Sequence, residues 1–204
     1  MKKIIVVGAG RTGSRVIKKL NVRDTYRLKI IDRDVIEETD VRDKVYSIDF
    51  MHSPKALAAR QLWAKSAEIA FDQLTKQNAG KLLGNPDLII DCTDNYHTRA
   101  VINGYCKKKK IKWIYSSALR EFGMVSTIDG NCFTCFAKKP VQTESCSLVG
   151  VNKSVLEKVG DKVVEEAKTI LGGKKPRLVG KLFFASPKTS AIVSIPKRKC
   201  LCKN

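Results

Sequence analysis

Gly8, Gly10 and Gly13 form a G-x-G-x-x-G pattern directly between a short β-branched run and a helical stretch. Few local patterns restrict a fold as strongly. The run before it, residues 4–7 (Ile-Ile-Val-Val), has the length and side-chain character of a buried parallel strand. The glycines permit a tight turn and a close backbone approach, and the helix that follows offers unpaired N–H groups to a phosphate. Asp32 closes a second short strand at residues 27–31, where a carboxylate can bind both ribose hydroxyls. Alone, this arrangement says nucleotide, most often NAD or FAD; the alternative is a tight turn with no ligand.

The rest of the chain continues the alternation. Pro54 opens a helical segment over residues 56–70, a suitable place for proline in a first turn. A strand at 87–90 leads into Asp91-Cys92-Thr93-Asp94-Asn95, followed by a helix at 98–106 and a strand at 111–115. Strands alternating with helices in this way predict a mostly parallel α/β sheet. The second half reads differently. One more strand at 124–128 precedes Cys132-Phe133-Thr134-Cys135, and residues 137–152 have no period and read as a long loop. Apolar residues at helical spacing mark 155–171, closed by Gly172, and 182–185 with 191–195 read as an antiparallel pair. The expected whole is one domain over residues 1–204: a Rossmann-like core at 1–131, then a crossover loop, helix, hairpin and cysteine site at 132–204.

Composition removes several classes. At 204 residues and 43% apolar, the chain can bury a core without disulfide staples. No apolar run approaches the ~20 residues that span a bilayer. The opening Met1-Lys2-Lys3 and its short apolar run lead straight into the glycine turn, with no small-residue cleavage site. Seven cysteines, mostly in close pairs, fit metal or thiol chemistry in a reducing compartment, so a cytoplasmic protein with no membrane partner is expected. The net charge of +19 is lopsided: +5 up to Gly104 and +14 beyond it. Such a bias suits an acidic partner, and it also suits a solvated, lysine-rich exterior. Residues 107–110 with Lys112 are the densest basic run. Trp113 and Tyr115 beside it would suit RNA, but they flank Ile114 on one strand and so share a face that suits the core. Lysines closing a helix also favour its dipole.

Asp32-Arg33-Asp34, Ser53-Pro54-Lys55, Asp91-Cys92-Thr93-Asp94-Asn95 with Arg99, and the paired cysteines together resemble the MoeB/ThiF/HesA family. The resemblance runs in order over nearly the whole chain, through Ser116-Ser117-Ala118-Leu119-Arg120, Glu144-Ser145-Cys146 and the terminal cysteines. It implies ATP-dependent adenylation of the C-terminal glycine of a ubiquitin-like or sulfur-carrier protein. Attack by a carboxylate on the α-phosphate of ATP requires positive charge and a magnesium ion. By resemblance, Gly8, Gly10, Gly13, Asp32, Asp34, Arg42, Lys55, Asp94 and Asn95 would bind the nucleotide. Lys55 would meet the phosphates, and Asp94 would hold magnesium, a hard cation suited to carboxylate oxygen. Read without the resemblance, Lys55 is a solvated helix lysine and Asp94 a cap for the following helix. Arg15 is close enough in sequence to assist.

The pattern departs from the family after Asp34. Relatives carry Ser-Asn-Leu-x-Arg-Gln, whose Asn and Arg reach the nucleotide; here Thr39-Asp40-Val41-Arg42-Asp43-Lys44 stands in its place. Asp40 occupies the Asn position and Asp43 the Arg position. A carboxylate beside triphosphate is repulsive, so Arg42 or Lys44 must swing in, or ATP binding is weakened.

Cys132 and Cys135 have structural-zinc spacing, and Cys200 with Cys202 would complete a four-thiolate site, although the second pair is C-x-C rather than the family's C-x-x-C. A relic site without metal is the alternative. Cys146 matches the position of a reactive cysteine in some relatives and is the candidate covalent nucleophile, while Cys92 and Cys106 read as buried apolar residues. The resemblance implies ATP, Mg2+ and structural Zn2+ as cofactors. It also implies a small carrier as partner, RNA as the second choice, and a homodimer or heterodimer. Relatives sometimes supply an arginine from an N-terminal arm, which this short form would lack. Two other functions stay open: a non-catalytic partner subunit or scaffold, and activation of a carboxylate on modified tRNA.

Overall fold

The structure is a computed structural model, and it describes residues 1–20, 26–137 and 150–196. Among the described residues, eight strands form one sheet in the order β3-β2-β1-β4-β5-β6-β7-β8. They are β1 (Lys2–Val7), β2 (Tyr26–Asp32), β3 (Glu68–Phe71), β4 (Leu88–Asp91), β5 (Trp113–Leu119), β6 (Phe122–Ile128), β7 (Lys181–Ala185) and β8 (Ser190–Ser194). The first five run parallel. From β6 onward each strand is antiparallel to its neighbour. The helices are α1 (Arg11–Leu20), α2 (Glu38–Arg42), α3 (Lys55–Trp63), α4 (Ala79–Leu83), α5 (Tyr96–Lys109), α6 (Phe133–Phe136) and α7 (Lys153–Leu171).

Strand periodicity sorts the core into two layers. Ile4 and Val6 of β1, Leu28 and Ile30 of β2, Leu88 and Ile90 of β4, and Ile114 of β5 face one side. There they pack with Val16 and Ile17 of α1 and Val155, Val159 and Val163 of α7. Ile5, Val7, Ile31, Ile89, Trp113 and Tyr115 face the other side, against Leu82 and Leu83 of α4 and Val101 and Ile102 of α5. Burial on both faces explains why these strands read as unbroken apolar runs. Each fully buried aliphatic side chain contributes roughly 1.5–3 kcal/mol. Trp113 and Tyr115 are core residues, both in ring contact with Phe133, and so are not available for stacking on bases.

Two expectations need correction. The helix expected over 56–70 stops at Trp63, and Glu68–Phe71 is the edge strand β3. Its residues are half-buried or exposed, so the strand lacks the apolar run that marks the central ones. The short helix α4 was also not expected. The hairpin β7–β8 and the long helix α7 lie where periodicity places them. Most of the loop expected at 137–152 lies outside the described residues.

Helix α7 is tied in at both faces. Toward α1, Glu157 meets Arg15 at 2.9 Å and Lys19 at 2.7 Å. Toward β6, the fully buried Glu166 accepts from Thr127 Oγ1 at 2.7 Å and from the backbone N–H groups of Arg177 and Leu178 at 3.0 and 3.2 Å. Removing that carboxylate leaves two buried donors, and the part-buried Arg177 N–H, without an acceptor. Glu166→Ala should therefore lower unfolding stability by about 3 kcal/mol. Urea titration checks this, and a loss below about 1 kcal/mol would contradict it.

Candidate nucleotide site

The strand order reverses between β1 and β4, the place where open α/β sheets bind ligands beyond their strand ends. The glycine turn follows β1, and Asp91-Cys92-Thr93-Asp94-Asn95 follows β4, so both motifs meet at that crevice. The two are joined through backbone: Cys92 N–H donates to Val7 O at 2.8 Å. Gly8 has φ +92°, and a Cβ there would sit 2.8 Å from the Cys92 carbonyl oxygen. A Cβ on Gly13 would overlap the Gly8 carbonyl. At Gly10 a Cβ would meet nothing within 4 Å, so the turn is open toward the cavity there. Two of the three glycines are thus required by packing, and the third leaves the approach clear.

A cavity of about 490 Å³ lies over this junction. Gly8, Gly10, Asp32, Asp34, Lys55, Asp94 and Asn95 all line it, whereas Gly13 lies beneath the turn against Gly8. Asp32 is buried, and its carboxylate accepts from Ala9 N–H at 2.5 Å and from Asp34 N–H at 2.7 Å. Burial pushes its pKa up, and these two hydrogen bonds oppose the rise. Tyr46 holds the same residue from behind, its hydroxyl donating to Ala9 O at 2.6 Å. Desolvation of the ring hydroxyl, beside Asp32 and Asp40, raises its pKa. Ala9 is therefore gripped at both its N–H and its C=O, which fixes the turn.

The second wall rests on a buried ion pair. Asp91 is fully buried and meets Arg99 Nε at 3.1 Å, while accepting from Thr93 N–H at 3.0 Å and Thr93 Oγ1 at 2.6 Å. Arg99 also donates to the carbonyls of Thr93 at 2.5 Å and Ser116 at 3.1 Å, and its guanidinium stacks over Tyr115. Burial raises the Asp91 pKa, with Arg99 opposing the rise. Burial, reinforced by Asp91, pushes the Cys92 thiol up to about 12, which makes it inert at neutral pH. Asp94 follows directly and stays exposed at the rim. Asn95, not Asp94, caps α5, its side chain accepting from Thr98 N–H at 2.8 Å.

The departures at positions 40 and 43 take a form not visible in sequence. Asp40 is buried and pairs with Lys55 Nζ at 3.0 Å, while its carboxylate also accepts from Glu37 N–H at the start of α2. Asp43 pairs with Arg11 of the glycine turn, Nε lying 2.9 Å from Oδ2. Arg42 Nε also approaches Asp43 Oδ1, at 3.9 Å. Arg42 is exposed and off the cavity wall, and Lys44 is exposed with φ 55°. Arg15 serves the α1–α7 interface and donates to Arg11 O.

Cys132 and Cys135 flank the start of α6, where Cys132 Sγ contacts Asn103 Nδ2 at 3.4 Å and Thr134 Oγ1 at 3.1 Å. Among the described residues no group of three or more His, Cys, Asp or Glu could hold a metal ion. Cys146, Cys200 and Cys202 lie outside the described residues. No helix among the described residues is long and apolar enough to cross a membrane.

Sequence reasoning gave Arg11, Tyr46 and Arg99 no role. Arg99 carried a signal in its place beside the Asp91 motif, and Arg11 in being a cation at a helix N-terminus. Tyr46 carried none.

Comparison with known proteins agrees with this geometry. The model of the ThiF family matches residues 1–204. The SAMP-activating enzyme E1 of Haloferax volcanii is 27% identical over 96% of this chain and 77% of its own. The sulfur carrier protein adenylyltransferase of Thermus thermophilus is 28% identical over 89% of this chain and 73% of its own. The ThiS adenylyltransferase of Bacillus subtilis is 25% identical over 85% of this chain but 55% of its own. E. coli MccB with ATP superposes with a TM-score of 0.77 at 16% identity, over 95% of this chain and 63% of that one, which establishes a shared fold. The chain thus spans just over half of the Bacillus enzyme and under two thirds of MccB.

The buried Asp91–Arg99 pair can be tested directly. Asp91→Ala leaves Arg99 charged and buried, so stability to urea should fall by about 3–5 kcal/mol. A loss under about 1 kcal/mol would show that the pair does not hold this wall together.

Proposed function

We propose, from the premise that this chain belongs to the ThiF family, that it activates the C-terminal glycine of a small ubiquitin-like sulfur carrier with ATP. It is an adenylyltransferase domain of the E1-like type. The observation that carries the reading is the meeting of the glycine turn, the Asp32 carboxylate, Lys55 and Asp94 around one cavity.

In this reading Asp32 binds the ribose hydroxyls, held in place by Ala9 and Asp34. The N–H groups at the start of α1 receive phosphate oxygens. Lys55, buried to 13% exposure, supplies positive charge. A carrier carboxylate oxygen attacks the α-phosphorus, the bond to the bridging β-phosphate oxygen breaks, and pyrophosphate leaves with the acyl-adenylate retained. Asp94, an exposed carboxylate on the cavity wall, offers the hard oxygen that magnesium prefers, so the residues present fit that ion. When bound, magnesium neutralises phosphate charge. The strongly basic second half would receive an acidic carrier.

One observation favours a second reading, a non-catalytic partner or scaffold: Asp40 already engages Lys55 at 3.0 Å. ATP–pyrophosphate exchange with small carriers ending in Gly-Gly separates the two. The leading reading predicts robust exchange, a loss of at least about 100-fold on Asp94→Ala, and retention on Cys146→Ala. Silence with every carrier, together with no shift in Tm on adding ATP, would sink it.

The zinc reading has its own test. Cys132 and Cys135 offer two thiols at the start of α6, and Cys200 with Cys202 would supply the others. If they do, Cys200→Ser should lose zinc stoichiometry and lower the Tm, as chelation should. Full zinc content and an unchanged Tm in that variant would refute the site.

A further inference from the structure

We propose that Arg11 is a phosphate-recognising cation of this cavity, delivered from the glycine turn to the place where position 43 carries a carboxylate, with Asp43 as its counter-ion. The inference rests on the nucleotide reading above and adds one residue to it.

Arg11 is the first residue of α1, where the helix dipole disfavours a cation, and the first turn contains no acidic residue to balance it. Its side chain nonetheless does not escape to solvent. It is only 10% exposed, lines the cavity and meets Asp43 through both Nε and Nη2. Its backbone is pinned as well, since Arg15 Nη1 donates to Arg11 O at 2.9 Å. Gly10, just before it, leaves the approach open. The turn therefore holds a cation in an electrostatically poor position, beside helix N–H groups that favour an anion. A phosphate seated there would meet both the N–H groups and the guanidinium, whose planar donors suit phosphate oxygens.

The position of Asp43 completes the case. It caps the end of α2, and its pairing with Arg11 joins that helix to the glycine turn. Positive charge thus reaches the tip of the side chain at position 43 although that residue is itself acidic. Lys55 and Asp40 repeat the arrangement one turn back along α2. Each carboxylate that breaks the resemblance is paired with a cation from another element. Six carboxylates line the cavity against four cations, so losing one cation should be felt strongly by a polyanion.

The test measures binding of Mg-ATP and of adenosine to the full chain by calorimetry, in the native protein, Arg11→Ala and Asp43→Asn. Both substitutions break the tie between the turn and α2, but only the first removes the cation. The proposal predicts that Arg11→Ala weakens Mg-ATP at least tenfold and adenosine less than twofold. Asp43→Asn should bind Mg-ATP at least as tightly as native, because a repelling carboxylate is gone. Equal losses in both variants, or a parallel loss of adenosine, would reduce the pair to a structural tie and overturn the proposal. Native-like Mg-ATP binding in Arg11→Ala would overturn it while leaving the proposed function standing. Failure of the native chain to bind Mg-ATP would remove both.

Discussion

The backbone of the glycine turn lies against the backbone at the end of β4, too close for a Cβ on Gly8. The functional side chains on both walls take their positions from that contact. It brings the start of α1 beside the loop that carries Asp94. It also sets Ala9 between Asp32 on one side and Tyr46 on the other. The Asp91–Arg99 pair then fixes the far wall by drawing Thr93 and Ser116 onto one buried guanidinium. An active cavity needs walls that stay in place while charge moves within it, and here both walls are pinned by hydrogen bonds to backbone.

Charge is distributed with the opposite sense inside and outside. The chain carries +19, yet the cavity wall holds more carboxylates than cations. In the proposed function, attraction of a polyanion to this site would therefore depend on a few cations placed at short range, and on a metal that arrives with the nucleotide. The excess positive charge is concentrated in the second half of the chain. In the proposed reaction that charge would steer an acidic carrier without over-stabilising a phosphate that leaves as pyrophosphate.

Much of this was legible in the amino-acid order because its signals are local. The β-branched runs, the glycine turn and the Asp91 motif each announce themselves within a few residues, and the parallel core follows from their alternation. The edge strand β3 did not, because Glu68–Phe71 is only partly buried and has no apolar run. The Arg11–Asp43 pair was not legible for a related reason. Nearness in sequence points to Arg42 or Lys44 as the substitute cation at position 43, and Arg42 lies 3.9 Å from Asp43, but Arg11 reaches the same carboxylate from 32 residues away on another element. A pair assembled by the sheet topology leaves no local trace. The same holds for Tyr46, which reaches Ala9 across 37 residues.

A crystal structure with magnesium and a non-hydrolysable ATP analogue tests the central claim most directly. The account predicts the ribose hydroxyls on the Asp32 carboxylate, with the phosphates over the turn at residues 8–13 and within reach of Lys55. A nucleotide seated away from the β1–β4 junction, or one whose phosphates turn away from that glycine turn, would contradict it.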